Sequence, residues 1–316
     1  MERILVTGAL GLVGSELIIE LQKKYGKENV IALDISPQPP TFEGVSVVGN
    51  VCDWELLKTI VDRYQVSQIY HLASLLSAGS EKNPDRAWNV NVGGLKNVLD
   101  LARDKNLRVF WPSSIAVFGN TTPKKDVPQH SSFEPVTIYG VTKVTGEMLG
   151  QYYYYRYGVD FRSLRFPGLN GTKAKPGDGT TEYAIHIFYG LVREKRYTCF
   201  LKPDTRLPMM YMDDAVRGTM MLMDAPVENI SVRTSYNFSA VSFTPAELVQ
   251  EIRKISPDFE IIYQPDKRQL IADSWPETID DSIARNDWHW KESYDLEKMV
   301  VALYEGVKER VANEQK

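Results

Sequence analysis

The first half of the chain alternates short apolar runs with longer segments whose apolar residues recur at helical spacing. Residues 3–7 and 30–33 are apolar runs of the kind found in buried parallel strands, and residues 12–24 between them follow the helical period. The alternation continues with strands predicted at 45–48, 68–72 and 107–113 and helices predicted at 54–63 and 84–103. This order predicts an α/β fold built on a doubly wound parallel sheet of the Rossmann type.

The pattern changes after residue 165, where a long loop begins. Residues 166–181 contain four glycines and two prolines, and so long a loop inside a compact domain is usually functional. Beyond it, strands are predicted near 198–200, 209–211, 235–238 and 260–263, and helices at 181–193, 213–224, from 244 and from about 295. We therefore divide the chain into a Rossmann domain at 1–165 and a smaller, interleaved α/β lobe at 166–316, from which some segments return to the Rossmann core.

A glycine-rich turn follows the first strand and opens the first helix. Gly8 would form the tight turn, Gly11 would let backbone N–H groups approach a diphosphate, and Gly14 would let the helix pack close to the strand. The second strand ends in Asp34, 20 residues after Gly14, where the dinucleotide fingerprint places an acid on the ribose 2′-hydroxyl. A carboxylate here repels a 2′-phosphate, so the sequence predicts NAD rather than NADP as the cofactor.

Three further side chains indicate proton and hydride chemistry. Tyr139 and Lys143 are four residues apart and would share one face of a helix, and Ser114 precedes Tyr139 by 25 residues. A phenol, with a pKa near about 10, is a poor base at neutral pH, and an ammonium one turn away would stabilise its phenolate. Ser113 is the alternative serine, but alternation along the strand would point it the other way.

Composition limits the classes of function. The 316 residues, 43% of them apolar, are enough for a large core, and a formal charge of −4 offers no basic surface to nucleic acid. Two cysteines and four scattered histidines lack metal-ligand spacing, so no metal site is predicted. No apolar run is long enough to span a membrane, and Met1 lies two residues before the first strand, which predicts a cytoplasmic protein without a leader.

These motifs resemble those of the extended short-chain dehydrogenase/reductases over about the first 170 residues. The matching segments are residues 7–14, 71–73, 112–119 and 139–143. Within that family the chain is most similar to the short-chain type of NAD-dependent L-threonine 3-dehydrogenase, on the evidence of residues 75–84, 179–184, 207–212 and 274–277. It departs from the family at Asn50 and Val51, where Asp-Val is frequent beside the adenine; an asparagine can still accept a hydrogen bond there.

The resemblance implies NAD-dependent oxidation of L-threonine at its 3-hydroxyl to 2-amino-3-oxobutanoate. Tyr139 would act as the base, Ser114 would bind the same oxygen, and Lys143 would lower the pKa of the tyrosine and hold the nicotinamide ribose. The expected cofactor-binding residues are Gly8, Gly11, Leu12, Val13, Asp34, Asn50, Val51, Leu72, Ala73, Ser74, Asn91, Tyr139, Lys143 and Pro167. The expected substrate-binding residues are Ser77, Ser80, Ser114, Tyr139, Gly179, Thr180, Thr181 and Trp275. A homodimer through paired helices, including the tyrosine-rich helix at 151–155, is also implied.

Several assignments have alternatives. Asn91 would either hold a neighbouring bend or bind a proton-relay water, and Thr180 would either bind the substrate carboxylate or only cap a helix. Either Ser77 or Ser80 would bind the carboxylate, and Trp275 would either roof the pocket or pack in the core. The competing functions are a nucleotide-sugar epimerase or dehydratase, disfavoured by Ile-Ala after Ser114, and a non-catalytic NAD-binding sensor, disfavoured by the presence of both tyrosine and lysine.

Overall fold

The computed structural model describes residues 2–174 and 176–314. Its strands are β1 (Ile4–Thr7), β2 (Val30–Asp34), β3 (Val45–Val48), β4 (Gln68–His71), β5 (Arg108–Ser114), β6 (Phe161–Phe166), β7 (Gly168–Asn170), β8 (Arg196–Cys199), β9 (Leu207–Tyr211), β10 (Tyr236–Asn237), β11 (Val241–Phe243) and β12 (Glu260–Tyr263). Its helices are α1 (Gly14–Tyr25), α2 (Trp54–Tyr64), α3 (Ser77–Lys82), α4 (Pro84–Trp88), α5 (Gly94–Lys105), α6 (Ile138–Tyr157), α7 (Tyr183–Glu194), α8 (Met212–Asp224), α9 (Pro245–Ile255), α10 (Arg268–Ser274), α11 (Ser282–Trp288) and α12 (Leu296–Glu314).

A seven-stranded parallel sheet forms the centre of the fold, in the order β3-β2-β1-β4-β5-β6-β10. Every residue of β1 is buried, because helices cover both faces of the sheet and leave no polar side. One face packs against α1, α8 and α11 and the other against α2, α5 and α6. The strand order reverses between β1 and β4, and in such sheets ligands bind at the carboxyl ends of the strands beside the reversal. The predicted Rossmann-type fold is confirmed.

The second half of the chain builds a smaller lobe around two short sheets, β11-β9-β7 and β12-β8. Helices α7, α9 and α12 bury its apolar cluster. Helix α9 begins with a capping box, in which the side chains of Thr244 and Glu247 each accept a hydrogen bond from the backbone N–H of the other. Strand β10 leaves this lobe and pairs with β6 in the central sheet, as expected for interleaved halves.

The helix predicted at 84–103 is interrupted. It consists of α4 and α5, joined by a wider π-type turn at Asn89–Gly93 that contains Asn91. The residue after this turn is Gly94. A Cβ at this position would lie 2.9 Å from the Val51 side chain, so a glycine allows the close packing. Helices α3, α10 and α11 were not predicted; with six or seven residues each, they are too short to show a helical period.

Candidate active site

A continuous cleft runs along the carboxyl ends of the central strands. Its half beside β2 is lined by the predicted residues Gly8, Gly11, Asp34, Asn50, Val51, Leu72, Ala73 and Ser74. Its half beside β5 is lined by the predicted residues Leu12, Val13, Ser77, Ser114, Tyr139, Lys143, Pro167, Gly179, Thr180, Thr181 and Trp275. Tertiary folding thus brings nearly all of the predicted residues to one cleft.

The glycine turn has the shape that a diphosphate requires. Gly8 has a φ of +69°, and a Cβ there would lie 2.7 Å from the Ala73 nitrogen. A Cβ on Gly14 would lie 2.2 Å from the Gly8 carbonyl oxygen, so α1 packs against the turn as the motif requires. Helix α1 begins after Val13, and no side chain in the described residues caps it. The N–H groups of Ser15 and Glu16 already donate to the Gly11 and Val13 carbonyls at 3.0 and 3.2 Å, so an anion at this end would meet the N–H groups of residues 12–14, a position that the helix dipole also favours.

Asp34 ends β2 beside this turn and helps to shape it. Its Oδ2 accepts a hydrogen bond from the Leu10 N–H at 2.9 Å, and its Oδ1 accepts one from the Ser36 N–H at 3.2 Å. A carboxylate has about four lone-pair sites, so acceptor capacity remains for the hydroxyls of a ribose. The Oδ1 of Asn50 accepts from the Cys52 N–H at 2.9 Å, which orients its amide in the half of the cleft that also contains Asp34.

The predicted catalytic side chains meet where β5 and α6 pack together. Ser114 ends β5, and Tyr139 lies in the first turn of α6, which Thr137 caps through the Gly140 N–H at 3.1 Å. A Cβ on Gly140 would lie 2.2 Å from the Ala116 carbonyl oxygen, so only a glycine allows α6 to approach the turn after Ser114 this closely. This contact holds the tyrosine beside the serine.

Burial shifts the proton affinities of this group. Burial raises the pKa of Tyr139 to about 12, and a hydrogen bond with Ser114 opposes the shift. Burial lowers the pKa of Lys143 to about 7, opposed by the negative charge of Glu147. The Lys143 Nζ donates to the Pro112 carbonyl at 2.6 Å and lies 5.3 Å from the centre of the Tyr139 ring. In this arrangement the Lys143 ammonium is held by the Pro112 carbonyl, and Ser114 is the group that opposes the effect of burial on the pKa of the tyrosine.

The loop before α7 forms the substrate side of the cleft. Gly179 precedes a single turn at Thr180–Glu182, and neither this turn nor α7 has a side-chain cap. The interpretation of Thr180 as only a helix cap is therefore wrong. Trp275 also lines the cleft, with 8% of its surface exposed, so it both packs in the lobe and contributes to the pocket wall.

Two predicted contacts are wrong in this structure. Ser80 is fully buried and donates to the Leu75 carbonyl at 3.0 Å, so Ser77 is the serine of α3 that reaches the cleft. The Asn91 side chain binds the Leu75 N–H at 2.8 Å and donates to the Leu75 carbonyl and Thr142. Both side chains lie behind the cleft wall and fix the loop after β4, which decides for the structural role of Asn91.

Four charged residues of the cleft were not predicted: Lys82, Arg86, Asp178 and Glu182. The Glu182 Oε2 accepts from the Gly177 N–H at 3.2 Å, and burial raises the pKa of its carboxyl group. Lys82 and Glu182 lie inside the segments that carry the family resemblance, so their charges were visible beside the serines and threonines. The sequence did not indicate that these side chains face the cleft.

Within residues 2–174 and 176–314, no helix is long and apolar enough to cross a membrane. In the same residues, no group of three or more histidine, cysteine or acidic side chains is arranged to hold a metal ion.

Solved structures of L-threonine dehydrogenases closely match this fold. The holo form of a GalE-like L-threonine dehydrogenase from Cupriavidus necator superimposes with a TM-score of 0.95 at 49% identity, covering 97% of this chain and 100% of that one. A monomeric L-threonine 3-dehydrogenase from a metagenome gives a TM-score of 0.93 at 44% identity, covering 97% and 99%.

Sequence comparisons agree with the structural match. The mitochondrial L-threonine 3-dehydrogenase of Bos taurus is 47% identical over 98% of this chain and 84% of its own length. The model of the NAD dependent epimerase/dehydratase family matches residues 4–237. The chain therefore belongs to the NAD dependent epimerase/dehydratase family, and the proteins it resembles over nearly its whole length include L-threonine dehydrogenases.

Proposed function

We propose that this protein oxidises L-threonine at its 3-hydroxyl with NAD, giving 2-amino-3-oxobutanoate, NADH and a proton. The observation that carries the proposal is that Ser114, Tyr139 and Lys143 share one cleft with the loop at 177–182. That loop supplies hydroxyl, amide and carboxylate groups suited to an amino acid. A nucleotide-sugar substrate would need a basic patch for its diphosphate. On the substrate side of the cleft, the described lining has one cation besides Lys143, which is Lys82.

The cofactor half of the cleft fits NAD. The backbone N–H groups at residues 12–14, where α1 begins, would bind the diphosphate, Asp34 the adenosine ribose, and Asn50 and Val51 the adenine edge. Lys143 would donate to the nicotinamide ribose in place of its bond to the Pro112 carbonyl. When bound, NAD supplies the acceptor for the hydride that leaves the carbinol carbon.

The residues of the chain move the proton and hold the reacting oxygen. Ser114 donates to the substrate 3-oxygen and Tyr139, as phenolate, accepts the proton of that hydroxyl, which leaves the oxygen free to form a carbonyl. The positive charge of Lys143 favours the phenolate, and the Ser114 hydroxyl, which has a single proton, donates to the substrate oxygen once the substrate is bound. Trp275 and the loop at 177–182 cover the substrate and exclude water from the reacting centre.

The charges of L-threonine have partners in the same half of the cleft. The hydroxyls of Ser77 and Thr181 would donate to its carboxylate, and Asp178 and Glu182 are the acids available to its ammonium. A site built on such hydrogen bonds discriminates against an analogue that lacks one polar group, since the buried partner is left unpaired.

We expect the substrate preference to follow this pairing. L-Serine, which lacks only the methyl group, should react about 10–200-fold more slowly in kcat/KM than L-threonine, as expected for one methyl in an apolar pocket. 2-Butanol, which lacks both charged groups, should lose a further several orders of magnitude. NADH formation measured at 340 nm on a panel of these compounds and UDP-sugars tests the assignment.

Three results of that panel would reject the proposal. Equal rates on L-threonine and simple secondary alcohols would show that the cleft does not recognise the carboxylate and ammonium of an amino acid. Turnover of a UDP-sugar without turnover of L-threonine would favour the epimerase or dehydratase alternative. A protein that binds NAD and oxidises none of these compounds would favour the sensor alternative.

We also propose that the chain forms a homodimer through α6. Val141, Met148, Tyr152 and Tyr155 are exposed at 38%, 41%, 51% and 72%, and their spacing places them on one face of the helix. Tyr153, which separates two members of this tyrosine-rich segment, is instead buried and bonded to Asp100 at 2.7 Å. An apolar face of this length is unusual on a monomer and is suited to a second copy of the same helix.

Sedimentation of the wild type and of Tyr155→Glu tests the dimer. We expect a dimer of twice 35.9 kDa for the wild type and a monomer for the variant, because a carboxylate would be buried without a partner in the helix pair. A wild type that sediments as a monomer, as one related enzyme is described, would contradict the proposal. A cytoplasmic location also stays a prediction, and the name of the Bos taurus relative assigns that protein to the mitochondrion.

A further inference from the structure

A buried ion pair lies directly behind the reacting groups and does not line the cleft. Glu147, one turn after Lys143 on α6, has a fully buried side chain, and that of Arg165 in β6 is 1% exposed. The pair is bidentate, with Arg165 Nη2 at 2.8 Å from Glu147 Oε2 and Arg165 Nε at 3.0 Å from Oε1. Buried pairs of this kind contribute little net stability compared with apolar side chains of similar volume. Stability alone therefore does not account for this one.

On one side, the pair contacts the elements that carry the catalytic groups. The Ser113 hydroxyl donates to Glu147 Oε1 at 2.6 Å, and Ser113 immediately precedes Ser114 at the end of β5. The carboxylate thus joins the serine strand to the helix of Tyr139 and Lys143. Its negative charge also favours the protonated form of Lys143, in a position where burial alone lowers the pKa of that ammonium.

On the other side, the pair holds two loops that come from distant parts of the chain. Arg165 Nη1 donates at 2.9 Å both to the Gln129 carbonyl and to Asn237 Oδ1. The Asn237 Nδ2 in turn donates to the Val127 carbonyl at 2.9 Å and the Asp280 carbonyl at 3.0 Å. The segments around residues 127 and 280 are thereby fixed to the strand that carries Arg165.

These two loops also hold the backbone that carries Trp275 of the cleft wall. Val127 pairs with Ile279 in a parallel bridge, and the Lys124 Nζ donates to the Trp275 carbonyl at 3.0 Å. Trp275 lines the same cleft as the loop at 177–182. Hydrogen bonds and short backbone segments therefore connect Ser113, the neighbour of the reacting serine, with Trp275 in the wall of the substrate pocket.

We propose that Glu147 and Arg165 are positioning residues. They fix the strand of Ser114 and the helix of Tyr139 in position relative to the segment that carries Trp275. The inference rests on the proposed function, because the relative position of these segments matters only if their groups act together on one substrate. Neither residue touches the substrate. The pair acts through Ser113 on the reacting side and through Asn237 on the pocket side.

The test compares two arginines of the same strand. Arg165→Lys keeps the charge but cannot form the bidentate contact, and Arg162→Lys makes the same change at a buried arginine that binds Asp160 and the Leu222 and Ala225 carbonyls, away from the cleft. We expect both variants to lower the thermal unfolding midpoint. Only Arg165→Lys should lower kcat, by about tenfold or more, and raise the KM for L-threonine, with the NAD dissociation constant changed less than about threefold.

A second variant keeps the test decisive if Arg165→Lys does not fold. In Glu147→Met with Arg165→Met, both charges are replaced by apolar side chains, so no unpaired charge is buried and folding is expected. The same loss of kcat and rise of KM should appear in this folded variant. A folded double variant with kcat and KM within about twofold of the wild type would overturn the inference, as would an equal loss of kcat in Arg162→Lys. If the wild type itself does not oxidise L-threonine, the proposed function fails instead.

Discussion

Tyr139→Phe is expected to lower kcat by about 10²–10⁴-fold, the range typical of removing a general base. The substitution keeps the ring that packs against the lobe core and removes only the hydroxyl that would accept the proton. The NAD dissociation constant should change little, because the residues proposed to bind the adenosine, Asp34, Asn50 and Val51, lie in the other half of the cleft. Steady-state turnover and NAD titration by fluorescence measure the two quantities separately.

The pH dependence gives an independent check on the same residue. Burial holds the pKa of Tyr139 at about 12, above the neutral range, and only the deprotonated phenol accepts a proton. Wild-type kcat/KM should therefore rise with pH through the neutral range, and the residual activity of Tyr139→Phe should lose this rise. Tyr64→Phe, at the end of α2, is the matched control and should behave as the wild type. Turnover of Tyr139→Phe within about tenfold of the wild type would place the base elsewhere.

The second large effect concerns the choice between NAD and NADP. We expect kcat/KM with NAD to exceed that with NADP by at least about a hundredfold, because the Asp34 carboxylate would accept from the ribose hydroxyls and would repel a 2′-phosphate. No cation faces Asp34 from the residues directly after β2, which are Ile35, Ser36 and Pro37. Initial rates with each cofactor at a fixed L-threonine concentration give the ratio.

Asp34→Ser should reduce this preference mainly by lowering activity with NAD. Part of that loss will come from the glycine turn, since Asp34 also accepts from the Leu10 N–H at 2.9 Å. Asp53→Ser, which removes a carboxylate that caps α2 away from the ribose site, serves as the control. Comparable wild-type rates with NAD and NADP would contradict the role given to Asp34.

The cofactor half of the site could be predicted from the sequence because local chain geometry determines it. A buried strand, a turn that needs a positive φ and a helix that must pack against it require glycines at fixed positions, and Gly8 and Gly14 occupy them. Asp34 ends the next strand, and parallel strands bring their carboxyl ends to the same edge. Tyr139 and Lys143 could be paired for the same reason, since four residues of one helix span about one turn.

The tertiary structure decided which of several similar side chains face the cleft. Ser77 and Ser80 lie on one short helix, and only packing against Leu75 determines that Ser80 is buried and Ser77 reaches the site. The same holds for Asn91, whose role depends on the loop that it binds. Short helices have too few turns to show a buried face in the sequence, so their orientation follows from long-range contacts.

What the sequence determined by itself is the parallel sheet, the glycine turn and the placement of Tyr139 and Lys143 on one helix face, because each depends on periodicity or on spacing within one element. What only the tertiary structure decided is how those groups are held. Arg165 and Asn237 are 72 residues apart and meet in one network, and Lys124 reaches Trp275 across 151 residues. No local pattern specifies such pairs, since they form only when the lobe folds back onto the central sheet.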